Sequence, residues 1–257
     1  IYGNLNIVEY IFKFLIFKMK LILGTAQFGL KYGITNSDNK PDNKKTQQML
    51  KTAYENGITI YDTARAYGDS EYKLGLFNKN YKNVTIITKL KIDNDTKDDV
   101  LLSVDKSLEM LNVDILDVLL LHRFEYLSNK IILNTILELK EKKKIKKIGI
   151  SVYTVEEAIV SLKNKDIEYL QIPVNVLDQR WNNNEFLSLV NKRKDVFIFV
   201  RSIFLQGIIL NNIDKWPKLQ IDYKAIINKI DNIVKILNMS KIELCISYCK
   251  SLYWING

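Results

Sequence analysis

At 257 residues, with 47% hydrophobic and 26% charged residues, the chain has the length for one large α/β domain or two small ones and enough apolar residues for a sizeable core. Two cysteines and a single histidine exclude a disulfide framework and any Cys/His metal cluster. The formal charge of +9 favours anionic ligands, but the lysines are spread along the chain, and the densest run, EKKKIKK from Glu141 to Lys147, lacks interleaved aromatics. It reads as the solvated, dipole-complementing end of a helix rather than a nucleic-acid patch.

In chain order, the apolar stretch from Asn6 to Lys18 is interrupted by Glu9 and Lys13, so it is too short and too charged for a membrane span, and it lacks a signal-peptide pattern. Residues 1–18 are expected to be an upstream leader, and residues 19–257, which open on MKLILGTAQFG, to be the domain. LILGTA predicts a strand and FGLKYGITN a glycine-rich loop. Residues 43–56 predict a helix stopped by Gly57. ITIYD is a strand, SEYKLGLFN a helix and VTIITKL a strand. Thr96 opens the next helix, and ILDVLLLH has the continuous apolar run of a parallel strand buried on both faces. Residues 129–146 predict a helix, KIGISVY a strand, and Thr154 with Glu157 a capping box. YLQIPVN, a helix around Phe186 to Val190 and VFIFVRSIF follow. Residues 222–252 predict two helices divided near Met239-Ser240, with Cys245 and Cys249 packed as small core residues on one helix face.

The alternation implies a parallel sheet. With no GxGxxG and with polar residues at successive strand ends, it fits a (β/α)8 TIM barrel better than a doubly wound sheet. The chain stops at SLYWING, where an eighth strand is expected to begin. The last strand and helix are therefore expected to be missing, and the first strand to lack a neighbour on its outer side.

Four groups stand just past apolar strand runs: Asp62, Tyr67, Lys89 and His122, the only histidine. Alone, each has a bland reading: a helix cap, one of fourteen tyrosines, a strand-end lysine, a hydrogen-bonded histidine. Together, at one edge of consecutive strands, they are a set whose chemistry suits carbonyl reduction. A carbonyl accepting hydride needs a proton at oxygen, which Tyr67 can give. Lys89 is expected to lower the Tyr67 pKa, Asp62 to balance Lys89, and His122 to orient the carbonyl by a hydrogen bond.

In type, order and strand position this set resembles the catalytic tetrad of the aldo-keto reductases. The resemblance runs from about Lys20 to the end through LGTAQFGLKYGITN, GIS at Gly149 to Ser151, QIPVN at Gln171 to Asn175 and VRSIFLQG at Val200 to Gly207. It implies NADPH as cofactor, with the choice between NADP and NAD left open, and a small-molecule carbonyl substrate such as an aldehyde, ketone or oxidised sugar. It also implies that Gly24 and Thr25 border the nicotinamide, that Ser151 and Gln171 bond its carboxamide, and that the segment from Ser202 to Gly207 meets the pyrophosphate. The chain departs from many members at Val152, where they carry Asn, and at Arg201, where they carry an aromatic ring that stacks on the nicotinamide; the Arg201 guanidinium can stack in its place, and Arg201 counts among the cofactor-binding residues that the resemblance implies. No metal, nucleic-acid or membrane partner is expected, and a reducing, cytoplasmic setting is. Two alternatives remain: a non-catalytic regulatory module that binds nucleotide, and a Schiff-base aldolase using Lys89.

Overall fold

The computed structural model describes residues 19–34, 40–212, 216 and 223–257; the leader expected over residues 1–18 lies outside them. Seven parallel strands form one sheet in sequence order, β1 Ile22–Gly24, β2 Ile60–Asp62, β3 Thr85–Lys89, β4 Leu116–Leu121, β5 Ile145–Ser151, β6 Tyr169–Pro173 and β7 Phe197–Arg201. Helices alternate with them, and the sheet curls into most of a (β/α)8 barrel, with the eighth strand and helix of that architecture not formed among the described residues.

Strand periodicity sorts the apolar residues into two cores. Ile60, Ile87, Val118, Leu120 and Phe199 are buried together inside the curl, with Ile22, Tyr169 and Phe197 against them. The intervening residues, among them Tyr61, Ile86, Leu119, Leu121, Ile148, Ile150 and Ile198, face the helices. Helix starts follow the side-chain caps: Thr96 Oγ1 accepts from the Asp99 N–H, and complete capping boxes open the helices at Val155–Lys163 and Lys241–Ser251.

Three expectations are corrected. The loop after β1 contains a four-residue helix, Ala26–Gly29. The helix expected over 129–146 ends at Glu141, because residues from Ile145 pair with β4 in the register Leu116↔Ile145. Lys146 and Lys147 of the basic run therefore lie in a strand, pairing with Asp117 and Glu168 at 2.7 Å each. Finally, the outer side of β1 has a neighbour. Lys20 N–H donates to Asn256 O at 2.9 Å, while Asn256 N–H donates to Ile198 O at 2.7 Å and Val200 N–H to Gly257 O at 2.9 Å. The last residues thus bridge β1 and β7, and Trp254 and Ile255 are buried beneath them.

Candidate active site

The inner-face positions run on past the apolar layer to the carboxyl ends of the strands. Two residues beyond Ile22, Ile60, Ile87, Leu120, Gly149, Tyr169 and Phe199 stand Gly24, Asp62, Lys89, His122, Ser151, Gln171 and Arg201. Period-two alternation thus delivers every strand-borne residue of the expected site, except Thr25, to one mouth.

Lys89 is 1% exposed. Its Nζ donates to Asp62 Oδ1 at 2.6 Å and to Thr63 O at 2.8 Å. Burial drives the Lys89 pKa down and the Asp62 carboxylate opposes that. Lys89 Nζ lies 5.0 Å from the centre of the Tyr67 ring, and Tyr67 meets His122 edge-on, with centroids 6.2 Å apart. A lysine so enclosed is poorly placed to attack a carbonyl as a Schiff-base nucleophile, which sets the aldolase reading aside.

The expected lowering of the Tyr67 pKa is not what the site produces. Burial, and next the Asp62 charge, push the phenol well above its ordinary value, with only Arg201 pulling it down. Lys89 spends its charge on Asp62. Burial, followed by the charges of Lys89, Arg201 and Arg123, pushes His122 down to about 4, so its imidazole is neutral at physiological pH, with one N–H to donate.

The Tyr67 loop is held by contacts that sequence reasoning missed. Gly29 packs on it so closely that a Cβ there would stand 1.7 Å from Tyr67 O, and Gly68, at φ +55°, backs onto Gly29 O. Behind it, Lys73 is buried and donates to Phe28 O and Pro41 O at 2.7 Å each. Glu71 accepts from Thr88 Oγ1 at 2.6 Å and from Arg65 at 3.2 Å. The signal was available in part: a helix with acid and lysine on its buried side, Ser70–Asn78, needs partners for both.

The remaining expected residues divide. Ser151 and Gln171 are buried side by side in register, Ser151 Oγ donating to Gln171 Oε1 at 2.9 Å. Gly24 is exposed, with open space where a Cβ would stand. Thr25 is fully buried instead; its hydroxyl donates to Asp62 O and accepts from Ser70 Oγ at 2.8 Å, so it braces β2 rather than facing the mouth. The backbone is left-handed at Ser202, Leu205, Gln206 and Gly207, three of them residues that rarely adopt it, as in concave anion-binding turns. Arg201 lays its guanidinium on the Tyr153 ring, 4.3 Å from its centre.

The sequence profile of the aldo/keto reductase family matches residues 20–253. The chain belongs to this family. D-arabinose 1-dehydrogenase of Saccharomyces cerevisiae is 29% identical over 187 residues, 65% of this chain and 54% of that protein. The chain thus spans about half the length of the curated relatives it matches. Among solved aldo-keto reductases, the holo form from Bacillus halodurans superposes with a TM-score of 0.74 at 20% identity, over 92% of this chain and 80% of that one. The Bombyx mori enzyme in complex with NADP gives 0.64 at 16% identity, over 92% and 82%; these two likenesses speak to the fold. Among the described residues there is no cluster fit to hold a metal and no helix long and apolar enough to cross a membrane.

Proposed function

We propose that the chain is an oxidoreductase that reduces the carbonyl of a small aldehyde, ketone or oxidised sugar with NADPH, Tyr67 serving as general acid. The observation that carries this reading is the enclosed Asp62–Lys89 pair at 2.6 Å lying against the Tyr67 ring, with His122 on the ring's edge.

The chain's own groups divide the work. His122, neutral, donates an N–H to the carbonyl oxygen and fixes its orientation. The raised pKa keeps the Tyr67 phenol protonated at neutral pH, the form a general acid must have, and the alkoxide developing on the substrate is basic enough to take its proton. The phenolate left behind is stabilised by the Lys89 cation, and Asp62 keeps that cation charged in a site that burial would otherwise neutralise.

A reduced nicotinamide fits the opposite side of the mouth and, when bound, supplies the hydride. Ser151 and Gln171 present hydroxyl and amide groups to its carboxamide, Gly24 leaves open space beside it, and the left-handed residues Ser202, Leu205, Gln206 and Gly207 suit a pyrophosphate. The family membership and the dehydrogenase name of the yeast relative support the choice of chemistry. The two cysteines, both free and buried, suit a reducing cytoplasm.

The test is Tyr67→Phe assayed with NADPH and a small aldehyde. The expected result is a rate loss of roughly 10²–10⁴-fold with little change in NADPH binding; turnover near that of the unaltered chain would remove Tyr67 from the mechanism.

A further inference from the structure

Arg201 differs from the other half-buried arginines. Arg65 holds Glu71 at 3.2 Å and Arg193 holds Asp195 at 2.8 Å, but no carboxylate among the described residues pairs with Arg201. Its polar contacts are two long ones, to Ser202 Oγ and Val152 O at 3.4 Å each. A guanidinium carries five N–H donors, so most of its capacity is unspent on the described residues. The plane is nevertheless held, since the exposed ring of Tyr153 supports it at 4.3 Å. A fixed, partly dehydrated fork with free donors is the form in which arginine recognises carboxylates.

Its position directs that capacity inward. Arg201 follows Phe197 and Phe199 on the inner face of β7 and reaches across to the end of β5 at Val152. Its charge acts on Tyr67, Lys89 and His122, which places it over the same mouth. Asp62 is the acid there, and Lys89 already occupies it.

We propose that Arg201 sets the specificity of the site: its guanidinium receives a carboxylate carried by the carbonyl substrate, so that oxo acids and aldehyde acids are preferred over neutral carbonyls. This rests on the reductase reading above, and it replaces the stacking role that the family resemblance implied for Arg201. Arg201 would act as a binding residue, contacting substrate away from the reacting atoms.

The test compares 4-carboxybenzaldehyde with its neutral isostere 4-carbamoylbenzaldehyde, using the full chain, R201Q and R201K, with NADPH affinity measured separately by fluorescence. The expected wild-type preference in kcat/KM for the carboxylate is roughly tenfold or more, the scale of a charge-assisted hydrogen bond. R201Q should abolish it, chiefly through KM. R201K should retain part of it, the lysine keeping charge but losing the fork. Loss of the Arg201 charge also acts on Tyr67 and His122, so any change in NADPH affinity or in turnover of the carbamoyl probe is common to both probes and cancels in their kcat/KM ratio, which is the readout. Equal wild-type turnover of the two probes, or equal losses for both in R201Q, overturns the proposal. So does weakened NADPH binding with the probe preference intact, which would assign Arg201 to a cofactor phosphate. If neither probe is reduced by the unaltered chain, the reductase reading fails instead; calorimetric binding of the two probes then decides, Arg201-dependent binding of the carboxylate supporting the inference and its absence sinking it.

Discussion

The two ends of the barrel use the same chemical pair for opposite purposes. At the floor, before β6, Glu168 accepts from Lys140 and Lys147 and from the Ile148 N–H, and both lysines lie partly in water, at 34% and 53% side-chain exposure. At the mouth, Lys89 is 1% exposed and Asp62 12%. Three acceptor contacts among solvated partners make a replaceable surface latch. A single carboxylate on a buried lysine makes a charge that cannot be given up cheaply, because the partner left behind has little water to turn to. The lesson is that a Lys–carboxylate pair has no fixed meaning; its surroundings decide whether it is a solvated surface latch or an enclosed charge pair.

The largest break expected in this contrast is Lys89→Met. Removing the cation strands Asp62, at a cost of about 3–5 kcal/mol of stability, and on the proposed mechanism withdraws the charge that would stabilise a Tyr67 phenolate. Lys144→Met, at an exposed position of the basic run, should stay within about 0.5 kcal/mol. Urea unfolding of both variants measures the difference; like behaviour would show that the mouth pair is no drier than the surface.

The same mouth tolerates no added bulk at its back. Gly29→Ala would set a methyl 1.7 Å from Tyr67 O, whereas Gly24→Ala meets nothing within 4 Å. The first should cost about 1–3 kcal/mol and shift the Tyr67 loop, with activity falling accordingly, while the second leaves stability unchanged. Equal melting temperatures would mean that the loop yields, and that Tyr67 is held by something other than this contact.

How much of this was legible in the sequence depends on the range of the interaction. The Ser70–Asn78 helix, the Thr154–Glu157 capping box and the break before Ser240 were readable because each is a local pattern. The gathering of Asp62, Lys89 and His122 at one end of the sheet was readable because strand alternation alone sends them there. The end of the helix at Glu141 was not: lysines are good helix formers, and only pairing with β4 pulls Ile145 into a strand. The bracing contacts of Thr25 and the buried contacts of Lys73 were not legible for the same reason. Their partners Ser70 and Phe28 lie 45 residues away in the chain, and no local pattern announces them. The direction of the Tyr67 shift was not legible locally either, since it comes first from burial of the phenol and then from the Asp62 charge.

A pH titration sharpens the contrast further, because His122 is the chain's single histidine and belongs to the mouth. Its folded pKa, about 4, lies below the ordinary value near 6.5. Between those values the unfolded chain binds a proton that the folded chain refuses, so stability falls as pH drops from about 6.5 toward 4 and is unaffected by this group above that window. His122→Gln should remove that part of the slope. The difference between the two stability curves isolates it from the carboxylates that titrate nearby; parallel curves would place His122 in contact with solvent.

The smallest effect belongs to the floor. Lys147→Met removes one of the two lysines on Glu168 but leaves Lys140 and the Ile148 N–H in place. The Lys147 pKa is raised by its hydrogen bond to Glu168 and then by that group's charge, which marks a favourable contact. Yet the lysine side chain is 53% exposed, so water competes for the ammonium and salt screens it. The expected loss is under about 1 kcal/mol, shrinking as ionic strength rises from low to about 0.5 M and the screening length shortens. The buried Asp62–Lys89 pair should show little such dependence, because counterions do not enter the pocket. Denaturation of Lys147→Met and Lys89→Met at two salt concentrations therefore separates the ends of the barrel by mechanism as well as by size. A salt-sensitive loss at Lys89 would show that the mouth is wet, and would remove the dry pair on which the assignment of Tyr67 rests.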